Sequence, residues 1–385
     1  MTARRTVPAT DLHWMQRALD LAARARGRVA PNPAVGAVLV RDGRLVGEGM
    51  TEPPGGAHAE IVALRQAGDR ARGATLYVIL EPCAHYGRTP PCVDALIAAG
   101  IARAVIALRD PYPAVDGRGI RRLVEAGVAV ELGLAAGPAA AINAGFLKRI
   151  RRGLPEVTAK FAVSLDGKIA THTGHSRWIT GDAARREGHR LRDTHDAIMV
   201  GVGTVLADDP LLTTRLPAEA CGAGGPHHPL RVVVDSLART PPEAAMLRPG
   251  VPGQTVIATT AAAPRERVAA LRAAGAAVLP LPARDGRVDL EALLRCLAAR
   301  GVNSVLVEGG GTLLGALCDA GLIDRVVAFI APALIGGRAA PGPLGGEGVP
   351  TMDAALRLRD VEWRQVGADL LVAGRLQPIA GLEDG

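Results

Sequence analysis

Four residues in the first quarter of the chain carry the chemistry most legible in it. His58 and Glu60 stand in Gly56-Ala57-His58-Ala59-Glu60, and two cysteines follow in Glu81-Pro82-Cys83 and Pro90-Pro91-Cys92. One imidazole and two thiolates suit a borderline-soft divalent cation, and three protein ligands leave the fourth tetrahedral position to water. An open position of that kind supports hydrolysis, because the cation makes the water acidic near neutral pH. Glu60, two residues beyond His58, is placed to carry a proton without being a ligand. The order His-x-Glu then Pro-Cys is that of zinc deaminases acting on nucleobases. The bland alternative is that His58, Cys83 and Cys92 are unrelated, the cysteines being ordinary buried thiols.

Positioning such a site requires particular elements. His58 to Leu64 reads as the start of a helix holding Glu60, Ala74 to Leu80 as a short apolar strand delivering Cys83, and Val93 to Ala99 as a helix opening at Cys92. A helix N-terminus lowers a thiol pKa, so the setting favours the thiolate. Upstream, Thr10 is expected to cap a first helix whose apolar face is Leu12, Met15, Leu19 and Ala22, ending near Gly27. Val35–Val40 and Arg44–Gly49 read as strands joined at Asp42-Gly43, a hairpin signal. Alternation continues through Arg103–Leu108, Ile120–Ala126, Val128–Leu132 and one helix over Gly137–Arg149. The expectation is an α/β sheet covered by helices on both faces.

Arg151-Arg152-Gly153-Leu154-Pro155 interrupts the pattern, which places a boundary between domains 1–150 and 151–385. A second alternating series follows, with strands expected at Val157–Val163, Ala197–Val200, Arg231–Asp235, Thr255–Thr259, Ala277–Pro280, Ser304–Val307 and Arg325–Ala331. Helices are expected at Asp182–Arg192, Pro264–Ala274, Leu290–Ala299 and Thr312–Ala320, and a terminal hairpin turns at Gly367-Ala368-Asp369. Glu308-Gly309-Gly310-Gly311-Thr312 links strand to helix, where it is either a phosphate cradle or a tight turn. It lacks the Gly-x-Gly-x-x-Gly spacing of a Rossmann loop.

Two domains are also what 385 residues predict. The chain has no apolar run of eighteen residues and no apolar leader at its N-terminus, so a soluble, cytoplasmic protein without a membrane partner is expected. Five scattered cysteines make no disulfide framework. The net charge of +7 comes almost wholly from dispersed arginines, with only 2% aromatic residues to stack bases, so no nucleic-acid partner is expected. A basic surface attracting phosphorylated small molecules and a dinucleotide accounts for it.

Eight residues, Ala84 to Pro91, separate the two cysteines. That segment resembles the Pro-Cys-x-His-x-Gly-x-Thr-Pro-Pro-Cys signature of the bacterial bifunctional riboflavin-biosynthesis deaminase/reductase family. The likeness extends over residues 11 to 377, through Pro31-Asn32-Pro33-Ala34-Val35-Gly36, Ala144-Gly145-Phe146-Leu147, Ser164-Leu165-Asp166-Gly167-Lys168, Arg177-Trp178-Ile179-Thr180 and Leu206-Ala207-Asp208-Asp209-Pro210. It implies a cytidine-deaminase-like three-layer domain followed by a dihydrofolate-reductase-like domain. The implied reactions are zinc-dependent deamination of 2,5-diamino-6-ribosylamino-4-pyrimidinone 5′-phosphate, then NADPH-dependent reduction of ribosyl to ribityl. One zinc per chain, NADPH, a phosphorylated pyrimidine substrate and a homo-oligomer are expected.

Residue by residue, the resemblance implies zinc ligands His58, Cys83 and Cys92, with Glu60 catalytic. Cofactor contacts are implied at Ala162, Trp178, Thr204, Asp208, Ser236, Gly310, Gly311, Thr312, Leu313, Leu314, Gly315 and Ala316. Substrate contacts are implied at Ser176, Arg192, Leu212, Arg215 and Glu308 for reduction, and at Asn32, His85 and Arg88 for deamination. His85 is read as a substrate contact because three ligands and water already complete a tetrahedron. Each arginine has the alternative of being a solvated surface charge, and Trp178 of being a core aromatic. Thr51 and Val62 stand where many relatives have histidine, and Tyr112 where asparagine is common. A paralogue acting on a related aminopyrimidine, a nucleic-acid deaminase with an accessory domain, and a non-catalytic scaffold are the competing readings.

Overall fold

The computed structural model describes residues 9–87, 90–221 and 224–379. Its backbone contacts gather into two compact units, one up to Arg152 and one over Gly153–Pro378.

The first unit comprises α1 (Ala9–Ala25), β1 (Gly36–Arg41), β2 (Arg44–Met50), α2 (Ala59–Ala67), β3 (Thr75–Val78), α3 (Cys92–Ala99), β4 (Arg103–Ile106), α4 (Arg118–Glu125), β5 (Ala129–Leu132), α5 (Ala136–Ile142) and α6 (Ala144–Arg152). Its sheet runs β2-β1-β3-β4-β5, with β1 antiparallel to both neighbours and β3, β4 and β5 parallel. Asp42 and Gly43 turn the hairpin with φ of 51° and 72°, left-handed values that asparagine-like residues and glycine tolerate.

Glycines show how the layers stack. A Cβ on Gly36 would lie 2.0 Å from the Ala18 carbonyl of α1, and one on Gly49 would lie 2.5 Å from the Ala59 carbonyl of α2. Gly49 pairs with Ala37, the neighbour of Gly36, so the two glycines point to opposite faces of the sheet. Helices α1 and α2 therefore cover opposite faces, which makes three layers. Gly49→Ala is expected to push α2 off the sheet, costing about 1–3 kcal/mol and weakening retention of zinc. Thermal melting with metal analysis checks this.

Two local expectations need correction. Thr10 does not cap α1, which already includes Ala9, and Leu12 is 48% exposed. Met15, Leu19 and Ala22 are buried as expected, and Asp11, Ala18 and Ala25 join them, because Asp11 accepts hydrogen bonds from Tyr77 (2.5 Å) and Arg103 (2.7 Å) and turns that side of the helix inward. The single helix expected over Gly137–Arg149 is two helices, α5 and α6, meeting at Asn143. Asn143 is buried, and its amide bonds the Ala34 backbone in both directions at 2.8 and 2.9 Å.

The second unit comprises β6 (Glu156–Ser164), α7 (Asp182–Thr194), β7 (Ala197–Gly201), α8 (Val202–Asp208), β8 (Leu230–Val234), β9 (Thr255–Thr259), α9 (Arg265–Ala273), β10 (Ala277–Pro280), β11 (Ala283–Arg284), β12 (Arg287–Val288), α10 (Leu290–Ala299), β13 (Ser304–Val307), α11 (Gly311–Asp319), β14 (Arg325–Ala331), β15 (Arg359–Val366) and β16 (Asp369–Arg375). Nine strands form one sheet in the order β10-β9-β8-β7-β13-β6-β14-β16-β15. The strands from β10 to β14 are mutually parallel, and the β15–β16 hairpin is antiparallel at the edge. Parallel strands are buried on both faces, which explains the unbroken apolar runs Val305–Val307 and Ile198–Val200. The chain steps outward from β6 through β7 to β10, then returns to insert β13 between β6 and β7. Such a reversal opens a crevice beyond the carboxyl ends of the strands. Among the described residues, no helix is long and apolar enough to cross a membrane.

Candidate active sites

In the first unit, three chain segments converge. His58 is the N-cap of α2, Cys92 opens α3 after Pro91, and Cys83 follows the end of β3. The His58 Nδ1 lies 3.6 Å from Cys83 Sγ and 3.3 Å from Cys92 Sγ, and the three donor atoms all fall within 4.8 Å of one another. Zinc bonds of about 2.3 Å to sulfur and about 2.0 Å to nitrogen, at a tetrahedral angle, place S and N about 3.5 Å apart. The donor set and its spacing fit zinc. The Cys92 backbone N–H donates to Cys83 Sγ at 3.3 Å, a bond that favours the thiolate. The Cys92 side chain, then His58 and this N–H, hold the Cys83 thiol down to about 4, while the same Cys83 contact and burial push Cys92 up. Two thiols this close cannot both ionise without a cation between them.

Glu60 occupies the first turn of α2 and is 4% exposed. Burial, and next the Cys83 charge, push its carboxyl up to about 7, where a group gives and takes protons at neutral pH. His85 is half-buried with its ring 5.6 Å from that of Tyr112, and Asn32 sits half-buried in the loop that Asn143 holds through Ala34. Arg88 lies outside the described residues. Of the positions departing from the family pattern, Thr51 is buried with its hydroxyl engaged by the Val35 backbone, and Val62 packs under the position of Gly49.

The second unit holds a cleft of about 490 Å³ beyond the carboxyl ends of β6, β7 and β13. Ala162, Trp178, Thr204, Asp208, Gly310, Thr312 and Leu313 line it, with Ser176 and Glu308. Thr204 and Asp208 are four apart on α8 and so share a face. A Cβ on Gly310 would stand 3.8 Å from Thr204 Oγ1, so glycine keeps the N-terminus of α11 bare toward the cleft. The donor geometry suits a phosphate-bearing dinucleotide. Gly311 and Gly315 instead make room for the backbone of Gly342 and Gly345. Leu314 is fully buried in the core, and neither it nor Ala316 lines the cleft. Ser236 lies past the end of β8, where its Oγ accepts from the Val288 N–H at 3.0 Å. Trp178 is 70% exposed, so it is no core aromatic, and Arg185 stacks on its ring at 4.5 Å.

Glu308 is the charge centre of this unit. Arg192 grips it through two bonds of 2.7 and 2.9 Å, and Lys160 approaches to 3.5 Å. Burial alone would raise the Glu308 pKa, but the charges of Arg192 and Lys160 overcome it and hold the carboxylate far below its usual range. Arg192 also donates to the Thr213 carbonyl at 3.1 Å, which draws in the Leu212–Arg215 segment. Leu212 is itself buried with φ of 54°, and Arg215 is exposed. Two neighbours escaped the sequence reading as site residues. Lys160 precedes Ala162 by two on β6 and faces the same side, and His189 precedes Arg192 by three on α7. Those periodicities were the available signal. The His189 imidazole accepts from the Arg215 N–H at 3.2 Å, and burial followed by the Arg192 and Arg215 charges pushes its pKa down to about 4.

Residues 8–108 match the cytidine and deoxycytidylate deaminase zinc-binding region, and residues 155–372, more than half of the chain, match the RibD C-terminal domain. The riboflavin biosynthesis protein RibD of Escherichia coli is 44% identical over 94% of this chain and 98% of its own length. The chain belongs to the RibD family. The RibD of Mycobacterium tuberculosis is 43% identical over 92% of this chain and 94% of its own. Among solved structures, Acinetobacter baumannii RibD superposes with a TM-score of 0.85 at 38% identity, covering 96% of this chain and 99% of that one. A Thermotoga maritima diaminohydroxyphosphoribosylaminopyrimidine deaminase/5-amino-6-(5-phosphoribosylamino)uracil reductase does so at 0.80 and 34%, covering 95% and 98%. As a RibD family member, the chain is a bifunctional enzyme of riboflavin biosynthesis, with a zinc-binding deaminase domain followed by a reductase domain.

Proposed function

We propose that residues 1–150 deaminate 2,5-diamino-6-ribosylamino-4-pyrimidinone 5′-phosphate and that residues 151–385 reduce the ribosyl group of the product with NADPH. The observation that carries the reading is the convergence of His58, Cys83 and Cys92 beside a buried Glu60. His58, Cys83 and Cys92 would hold the zinc, which supplies the acidification of a water molecule. Glu60 would carry one proton from the attacking water to the ring nitrogen as the C–O bond forms, and then the proton of the added hydroxyl to the amine as the C–N bond breaks and ammonia leaves. Asn32, His85 and Arg88 orient the pyrimidine. General acid–base transfer of this kind contributes about 10²–10⁴-fold.

For the reduction, the nicotinamide carries the hydride and the protein supplies orientation. Ala162, Trp178, Thr204, Asp208, Gly310, Thr312 and Leu313 form the wall for NADPH, with Gly311 to Ala316 and Ser236 shaping its surroundings. Ser176, Glu308, Leu212 and Arg215 take the sugar phosphate, the exposed Arg215 fork matching phosphate oxygens, while Arg192, its own fork engaged by Glu308 and Thr213, holds Glu308 toward the substrate.

Removing zinc separates the two halves. Chelation is expected to abolish ammonia release from the diamino substrate. NADPH oxidation on the deaminated sugar phosphate should continue, followed as the fall in cofactor absorbance. A chelated protein that still releases ammonia at the original rate overturns the assignment of the first site.

A further inference from the structure

Glu81 precedes Cys83 by two residues and is 4% exposed. A buried carboxylate needs partners, and here backbone N–H groups of the loop beginning at Asp110 and of the start of α4 supply them. One oxygen accepts from the N–H groups of Asp110 (3.2 Å) and Gly117 (2.9 Å), the other from Gly119 (2.9 Å) and Ile120 (3.2 Å). Two of these donors lie in the first turn of α4, whose N-terminal field favours an anion. The loop is shaped for the contact. Gly117 has φ of 81°, and a Cβ on Gly119 would lie 2.1 Å from the Pro82 carbonyl. Gly117 and Gly119 thus let the loop close against the chain entering Cys83.

The same loop carries an aromatic ring to the site. Asp110, fixed through its N–H by Glu81, accepts from the Tyr112 N–H at 2.8 Å. Tyr112, 41% exposed, sets its ring 5.6 Å from the His85 ring at 52°. The His85 Nδ1 is buried and finds no hydrogen-bond partner among the described residues. An exposed phenol ring thus lies beside a buried polar atom without a partner among the described residues, on His85, which follows the proposed zinc ligand Cys83 by two residues.

We propose that Tyr112 is a substrate-binding residue of the deamination site, forming an aromatic wall with His85 for the pyrimidine ring, and that Glu81 is its positioning residue. The inference rests on the reading of the first unit as the deaminase. A planar heterocycle offers a face to the phenol ring, and stacking of that kind tolerates changes at the ring edge. Glu81 touches no substrate. Its role is to hang the loop from the segment that presents Cys83, so that metal and wall keep one spacing.

The test uses the full-length zinc enzyme, with ammonia release measured against concentration of the diamino substrate. Tyr112→Ala is expected to raise KM about tenfold, with kcat and zinc content near wild type and Tyr112→Phe retaining the low KM. Glu81→Gln turns amide hydrogens toward backbone N–H groups and should reproduce the KM rise without loss of zinc. The double variant should then be no worse than the more affected single one, because both changes remove the same wall. A wild-type KM in Tyr112→Ala overturns the proposal whatever Glu81→Gln does, and so do KM effects that multiply in the double variant. A wild-type protein that binds zinc and releases no ammonia overturns the deaminase reading instead, which separates the two failures.

Discussion

Glu60→Gln is expected to retain one zinc per chain and to lose deamination by about 10²–10⁴-fold, the worth of a positioned general acid–base. The substitution keeps the side chain's size at a position 4% exposed, so α2 and the His58 ligand at its N-cap stay in place. What it removes is the ability to accept a proton and return it. The carboxyl is suited to both steps because burial and the Cys83 charge push it up to about 7. An amide has no such second state. The reductase rate of the same preparation provides the control, since none of its proposed contacts lies in the first unit. Ordinary ammonia release from a zinc-loaded Glu60→Gln protein would mean that another group moves the proton.

Much of this was legible in the residues because local signals agreed with one another. Asp42-Gly43 turned a hairpin, Cys92 opened a helix after two prolines, and the strands Thr255–Thr259 and Ser304–Val307 lie where their apolar runs end. The misreadings arose where a distant partner outranked the local pattern. Leu12 looked like part of an apolar face, but Asp11 is drawn inward by Tyr77 and Arg103, which stand more than sixty positions away. Asn143 interrupts an apparent helix by bonding Ala34, over a hundred positions earlier. Helix α8 and the β11–β12 hairpin were missed because a helix of seven residues and two strands of two residues each carry too little periodicity to stand out. In the reductase cleft, the signature residues Thr204, Asp208 and Gly310 come together, whereas Leu314 of the same run is buried in the core and Gly315 lies against the Gly345 backbone. A helix alternates its faces, so a contiguous run of contacts could not all face one ligand.

Arg192→Met is expected to destabilise the second unit by about 3–5 kcal/mol, because it leaves the Glu308 carboxylate buried without its bidentate partner. Lys160, at 3.5 Å, replaces neither of the two short bonds. Glu308→Gln combined with Arg192→Met removes charge from both sides and should recover a large part of the loss, as thermal unfolding of the single and double variants would show. Recovery of stability without recovery of NADPH oxidation would assign the pair to substrate binding as well as to folding. The direction of the Glu308 shift also sets a pH dependence. Its folded pKa is held below the ordinary carboxylate value of about 4.3, so the pairing contributes fully above that pH and is lost as acid titrates the group toward its folded pKa. Wild-type stability of the second unit should therefore fall below about pH 4. Glu308→Gln should flatten that part of the profile, and an acid limb of unchanged steepness in the variant would place the responsible carboxylate elsewhere.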